Sequence, residues 1–213
     1  MARTHLVWDW NGTLLDDLSL VVSSTNHAFA TIGGPAVDAD EHRRTFRRPV
    51  AEFYAEILGR AVDEHEFSRL DRIFHDAYRV GLTTCSLAAD ASAAIKAWPG
   101  TQSLLSMWFH TELVPAVDTY GLAGLFTRID GLRTAVGGDL KAGHLAAHLA
   151  GLGAPGDQVV LIGDSLDDAA AAESVGGACV LYTGGFTDPD RLRASGLPVA
   201  DTLSGAVALA RTL

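Results

Sequence analysis

Short apolar runs recur along the chain, apolar at odd and even positions alike and bounded by turn residues: Leu6 to Trp8, Ser103 to Leu105, Val159 to Ile162 and Cys179 to Tyr182. Runs without alternation suit strands buried on both faces. Between them lie stretches rich in the good helix formers Ala and Leu: Ala88 to Trp98, Leu113 to Tyr120, Gly143 to Ala150 and Ala169 to Val175. Strands alternating with helices predict an α/β fold, a parallel sheet flanked by helices. Ligands of such sheets sit at the carboxyl ends of the strands.

Residues 17–85 break the pattern. Their apolar positions recur at helical spacing (Phe53, Ile57, Leu58; then Phe67, Leu70, Ile73, Phe74, Ala77), and they hold most of the arginines. The organisation expected is a catalytic core of residues 1–16 and 86–213 with a helical cap, 17–85, inserted after the first strand. Hinges are expected near Asp16-Asp17 and Thr83–Ala88.

Composition narrows the function. With 213 residues and 48% hydrophobic content, a sizeable core is available. The net charge of −10 argues against a nucleic-acid face, and no run reaches the length of a membrane span. Cys85 and Cys179, far apart and without metal-site spacing, read as buried free thiols in a reducing cytoplasm. A cytoplasmic monomer or homodimer without nucleic-acid or membrane partners is expected.

Four chemical signals fall at strand ends. Asp9 closes the first apolar run, followed by Gly12 and Thr13; Ser106 closes the second; Lys141 opens a helical stretch after Gly137-Gly138; and Asp164 and Asp168 lie in Gly163-Asp164-Ser165-Leu166-Asp167-Asp168. Each alone reads as a cap, a turn former or a solvated charge. Together, a carboxylate nucleophile, a hydroxyl, an ammonium and an acidic pair suit a phosphate and divalent-metal site.

Asp9-Trp10-Asn11-Gly12-Thr13-Leu14 through Asp16, then Ser106, Lys141 and Gly163 to Asp168, resemble the motifs of the haloacid dehalogenase superfamily, in its phosphoglycolate phosphatase-like branch with a helical cap. The resemblance spans the chain, the cap being its least specific part. It implies a Rossmann-like core, a mobile cap, Mg²⁺ and a phosphoaspartate intermediate on a small phosphorylated substrate. Asp9 is then the nucleophile and a metal ligand, Asn11 a metal ligand through its backbone carbonyl, and Asp164 and, through water, Asp168 complete the metal site. Thr13 and Ser106 bind the phosphoryl oxygens and Lys141 offsets charge. Met107 and Ala142 depart from the family's usual residues without removing a functional group.

Asn11 is the departure with consequences, because it stands where the family's acid/base aspartate is usual and an amide cannot shuttle a proton. General acid–base catalysis contributes roughly 10²–10⁴-fold, about 3–5 kcal/mol. The expectation is a slow phosphoric monoester hydrolase that favours acyl phosphates or aryl esters, forms a long-lived phosphoaspartate, and gains alkyl phosphatase activity on Asn11→Asp. The main alternative is a phosphate-binding or regulatory relative with vestigial catalysis. A phosphonatase-like reading lacks its cap lysine, since Lys96 and Lys141 both lie outside 17–85.

Among lesser features, Arg47 or Arg48 of the Arg43–Arg48 cluster is a candidate for reaching an anionic substrate. His144 and His148 read as a surface helix face, and His42, His65 and His75 have no evident partner. Asn11-Gly12 is a deamidation-prone dipeptide that a packed strand end is expected to protect.

Overall fold

The computed structural model describes residues 3–213. Six strands form one parallel sheet in the order β5-β4-β1-β6-β7-β8. They are β1 (His5–Trp8), β4 (Thr101–Phe109), β5 (Ile129–Leu132), β6 (Val159–Gly163), β7 (Ala178–Tyr182) and β8 (Val199–Ala200). The two central apolar runs, β1 and β6, are buried throughout. Alternation splits their side chains between two cores. Leu6, Trp8, Val160 and Ile162 pack with α5 (Ala91–Ala97), α6 (His110–Thr119) and α10 (Leu203–Ala210). Val7, Leu161 and Leu181 pack on the other face with α7 (Ala142–Leu152) and α8 (Leu166–Ser174).

Two expectations were too short. The second run extends past Ser106 to Phe109, because Ser106 and Met107 stay buried and give no turn signal. β5 and β8 were not foreseen: β5 carries Asp130 and Gly131, and β8 is two residues long.

The insertion is all-helical among the described residues: α1 (Leu18–Ala30), α2 (Ala39–Thr45), α3 (Val50–Leu58) and α4 (Glu64–Gly81). Phe29, Phe53, Tyr54 and Leu70 give it a small core of its own. Asp38 and Asp63 start α2 and α4 by accepting the amides of Glu41 and Glu66. Where the chain leaves and re-enters the sheet, β2 (Leu15–Asp16) pairs antiparallel with β3 (Ser86–Leu87). This two-stranded stem coincides with the expected hinges.

Candidate active site

Asp9 follows β1 directly, its amide bonded to the Ile162 carbonyl at 2.9 Å. Asp164 follows β6, the neighbouring strand, and Asp168 sits one turn into α8. Oxygens of these three buried carboxylates lie within 4.8 Å of one another. Lys141, at the start of α7, reaches Asp9 Oδ1 at 2.7 Å and also pairs with Asp168. Burial alone would lower the Lys141 ammonium, but Asp168 and Asp9 outweigh that and hold it above its ordinary value. Burial raises Asp9 to about 6 against the pull of Lys141, and raises Asp164 well above the usual carboxylate range, with Asp9 and Asp168 adding to it. One ammonium among three carboxylates leaves negative charge uncompensated, and hard oxygen donors of this kind suit a divalent cation such as Mg²⁺.

Glycines permit the approach. A Cβ on Gly12, whose φ is +71°, would fall 2.6 Å from Asp164 Oδ2, and one on Gly185 would fall 2.2 Å from the same oxygen. The Phe186 amide donates to Asp164 Oδ2 at 2.5 Å. Asp168 and Ser165 form a capping box that fixes the Asp168 carboxylate.

Residues 136–206, which include Lys141, Asp164 and Asp168, match the profile of the HAD-hydrolase-like family. A phosphoglycolate phosphatase from Mesorhizobium japonicum is 25% identical over 195 residues, covering 88% of this chain and 86% of that protein. The chain resembles haloacid dehalogenase-like proteins. Solved structures share the fold along the full length of the chain. A predicted phosphatase from Clostridium acetobutylicum superposes with a TM-score of 0.88 at 16% identity, covering all of both chains. Protein Tyrosine Kinase A from Mycobacterium tuberculosis superposes at 0.76 with 21% identity, covering 98% of each.

Asn11 is held on three sides. Its amide nitrogen donates to Asp17 Oδ2 and to the Tyr78 hydroxyl, both at 2.9 Å, and its carbonyl accepts from Ser106 Oγ at 2.9 Å. Tyr78, on α4 of the insertion, donates to Asp17 Oδ2 at 2.7 Å, and the Gly12 amide donates to Asp17 Oδ1 at 2.8 Å. Burial lifts the Asp17 carboxyl to about 6 despite these hydrogen bonds. Sequence reading passed over Asp17 and Tyr78. The usable signal was Asp16-Asp17, two carboxylates in succession, of which only Asp17 is buried.

The other candidates divide. Ser106 borders the cavity beside Asp9, where the pairing of β4 with β5 shifts register, rather than at a strand end. Its proton is turned to Asn11, and it accepts the Trp108 amide at 3.0 Å. Thr13 is fully buried, with its hydroxyl 3.4 Å from Asp164 Oδ1, and does not border the cavity.

Arg48 borders the cavity, but its guanidinium donates to the Asp139 carbonyl at 3.1 Å and lies 3.9 Å from Asp167. Arg47 points elsewhere and pairs with Glu56 at the surface. Arg43 donates to the carbonyls of Gly185 and Gly184, and Arg191 of α9 (Pro189–Ala194) donates back to those of Arg43, Arg44 and Phe46. The cluster therefore ties α2 to the loop after β7.

His148 is not a surface residue. It is buried between Ser103 Oγ and Asp130 Oδ2, each at 2.8 Å, and the Ser103 hydroxyl also meets His5 at 2.8 Å. His75 has a partner in the Asp71 carbonyl, at 2.8 Å, whereas Cys85 is only half-buried.

Proposed function

We propose that this protein is a Mg²⁺-dependent phosphatase of small phosphorylated metabolites, working through a phosphoaspartate on Asp9 and slowed on alkyl esters by Asn11. The convergence of Asp9, Asp164 and Asp168 on one buried point, with Lys141 closing one side, carries this reading. The Mesorhizobium relative's name supports the same reaction class. Asp9, Asp164, Asp168 and the Asn11 backbone carbonyl would hold the cation, which would supply charge neutralisation to the phosphoryl oxygens.

In the first half-reaction an Asp9 carboxylate oxygen forms a bond to phosphorus. The bond from phosphorus to the ester oxygen breaks, its electron pair leaving with that oxygen. Lys141 keeps Asp9 ionised and oriented. Ser106 presents its hydroxyl at the same mouth, while Thr13 steadies Asp164 from behind. Asn11 has no proton to give, so the departing oxygen leaves as an anion, which favours acyl and aryl leaving groups. In the second half-reaction water attacks phosphorus and the Asp9 carboxylate is regenerated, the water's proton passing to a phosphoryl oxygen or to solvent. Residues 17–85 act as a cap over this site, with the β2–β3 stem as its hinge.

Incubation with acetyl phosphate and Mg²⁺ should label the protein covalently, and Asp9→Asn should abolish both label and turnover. A wild-type protein that binds phosphate without forming the covalent adduct would instead be the vestigial, phosphate-binding alternative.

A further inference from the structure

A row of polar groups runs through the core away from the acidic cluster. His5 opens β1, Thr101 and Ser103 lie on β4, Asp130 on β5 and His148 on α7. His5 and Thr101 are paired in register, and residues two apart share a face, so His5, Thr101 and Ser103 point to the side that α7 covers. His5 Nδ1 meets Thr101 Oγ1, His5 Nε2 meets Ser103 Oγ, Ser103 Oγ meets His148 Nε2, and His148 Nδ1 meets Asp130 Oδ2, each at 2.8 Å. Ser103, His148 and Asp130 follow the order of a hydrolytic triad, but Ser103 is fully buried and does not border the cavity that Asp9 lines, so its hydroxyl is not a nucleophile there.

The hydrogens decide what the row can do. Against burial, Arg128 and His148 hold the Asp130 carboxyl below its ordinary value, so it only accepts, and His148 Nδ1 carries the hydrogen between them. A neutral His148 then accepts at Nε2 from the Ser103 hydroxyl, Ser103 accepts from His5 Nε2, and His5 Nδ1 accepts from Thr101. One added proton gives a second complete arrangement. His148, now charged, donates to Ser103, Ser103 donates to His5 Nε2, and His5 Nδ1 donates to Thr101, which is exposed and turns its own hydrogen to water. With both rings charged, two N–H groups face the single Ser103 oxygen, the Ser103 hydrogen has no acceptor, and like charges sit one hydroxyl apart.

We propose that this row is a proton-storing clasp between β1, β4, β5 and α7, which stays closed on taking up one proton by reversing its three hydrogen bonds from Thr101 to His148, and has no place for a second. The proton enters from solvent at Thr101, each hydrogen moves one bond along, and the charge comes to rest on His148 beside Asp130. The charges facing the rings fit this order. Burial lowers both imidazoles; at His148 the Asp130 carboxylate opposes it while Arg128 adds to it, whereas His5 faces only His148 and is lowered to about 4. Arg133 lies 3.6 Å from Asp130 on its far oxygen. The clasped elements lead to Asp9, Ser106 and Lys141, yet the clasp stands whether or not that site is a phosphatase.

Ring ¹⁵N and ¹³C shifts of the histidine-labelled protein, followed from pH 8 to 4, read tautomer and charge separately, with His5→Gln and His148→Gln to assign the signals. At pH 8 His5 should carry its hydrogen on Nε2 and His148 on Nδ1. On acidification His148 should charge, and at the same midpoint His5 should shift its hydrogen to Nδ1 while staying neutral. In Ser103→Ala, His5 should no longer follow His148. A His5 ring that keeps one tautomer through the His148 midpoint overturns the proposal, as do two rings that charge together, or a His148 that stays neutral until the protein unfolds. The wild-type titration decides by itself, so the proposal remains falsifiable if Ser103→Ala does not fold.

Discussion

Restoring the acid at position 11 is not a one-residue change. Asn11 Nδ2 lies 2.9 Å from Asp17 Oδ2, so Asn11→Asp would set a second carboxylate against a buried one that is already raised to about 6. At about 4 Å and an effective dielectric of 20, two such charges repel by about 4 kcal/mol. That is comparable to the roughly 3–5 kcal/mol an acid contributes, and the pair would share one proton at neutral pH.

The expected outcome is that Asn11→Asp alone raises turnover of an alkyl phosphate weakly, and chiefly below pH 6, while lowering the Tm. Asn11→Asp with Asp17→Ser should remove the repulsion, keep an acceptor for the Gly12 amide, and raise kcat on glycerol phosphate by about 10²-fold. Steady-state kinetics of the two single variants and the double variant from pH 5 to 8, with thermal unfolding in parallel, form the cycle. A single Asn11→Asp variant that gains the full increment at pH 7.5 without loss of Tm would refute the reasoning. Additive behaviour of the two substitutions would refute it as well.

Other expectations follow from the same geometry. Lys141→Met leaves Asp9, Asp164 and Asp168 without their ammonium; breaking such a buried pair should destabilise by about 3–5 kcal/mol, read by urea unfolding, and Mg²⁺ should recover more Tm in this variant than in wild type. Burial lowers His42 from 6.5 to about 4, so folding favours its neutral form. Its contribution is complete above pH 6.5 and is lost as pH falls toward 4, up to about 3 kcal/mol. His42→Phe should flatten that acid limb, read by thermal unfolding from pH 4 to 8. Asn11-Gly12 should show no mass gain on ageing in peptide maps, since the Gly12 amide and both ends of the Asn11 side chain are held; Asp17→Ser should expose it.

The convergence of the candidate site residues was legible because their positions are local to strand ends. Asp9, Lys141, Asp164 and Asp168 each lie beside an apolar run or a glycine turn, and the parallel sheet brings such ends together. Asp17 and Tyr78 were not legible, because their meeting depends on how α4 returns over the stem, 61 residues along the chain. Arg48 of the arginine cluster does border the cavity, whereas the role of Arg43 was not legible. Its charge suggested a substrate anion, yet the carbonyls of Gly184 and Gly185 that Arg43 finds belong to a loop with no distinguishing sequence beyond its glycines. His148 looked solvated from its Ala-rich helix, and only the fold supplies Ser103 and Asp130 around it.

That same loop has two masters. Gly184 and Gly185 hold Arg43 of α2, the Asp188 amide bonds to the Arg43 carbonyl at 3.0 Å, and the Phe186 amide between them holds Asp164. Lifting α2 away would loosen the segment that keeps the Asp164 carboxylate in place. The insertion and the acidic cluster are thus tied through one loop, without any separate latch.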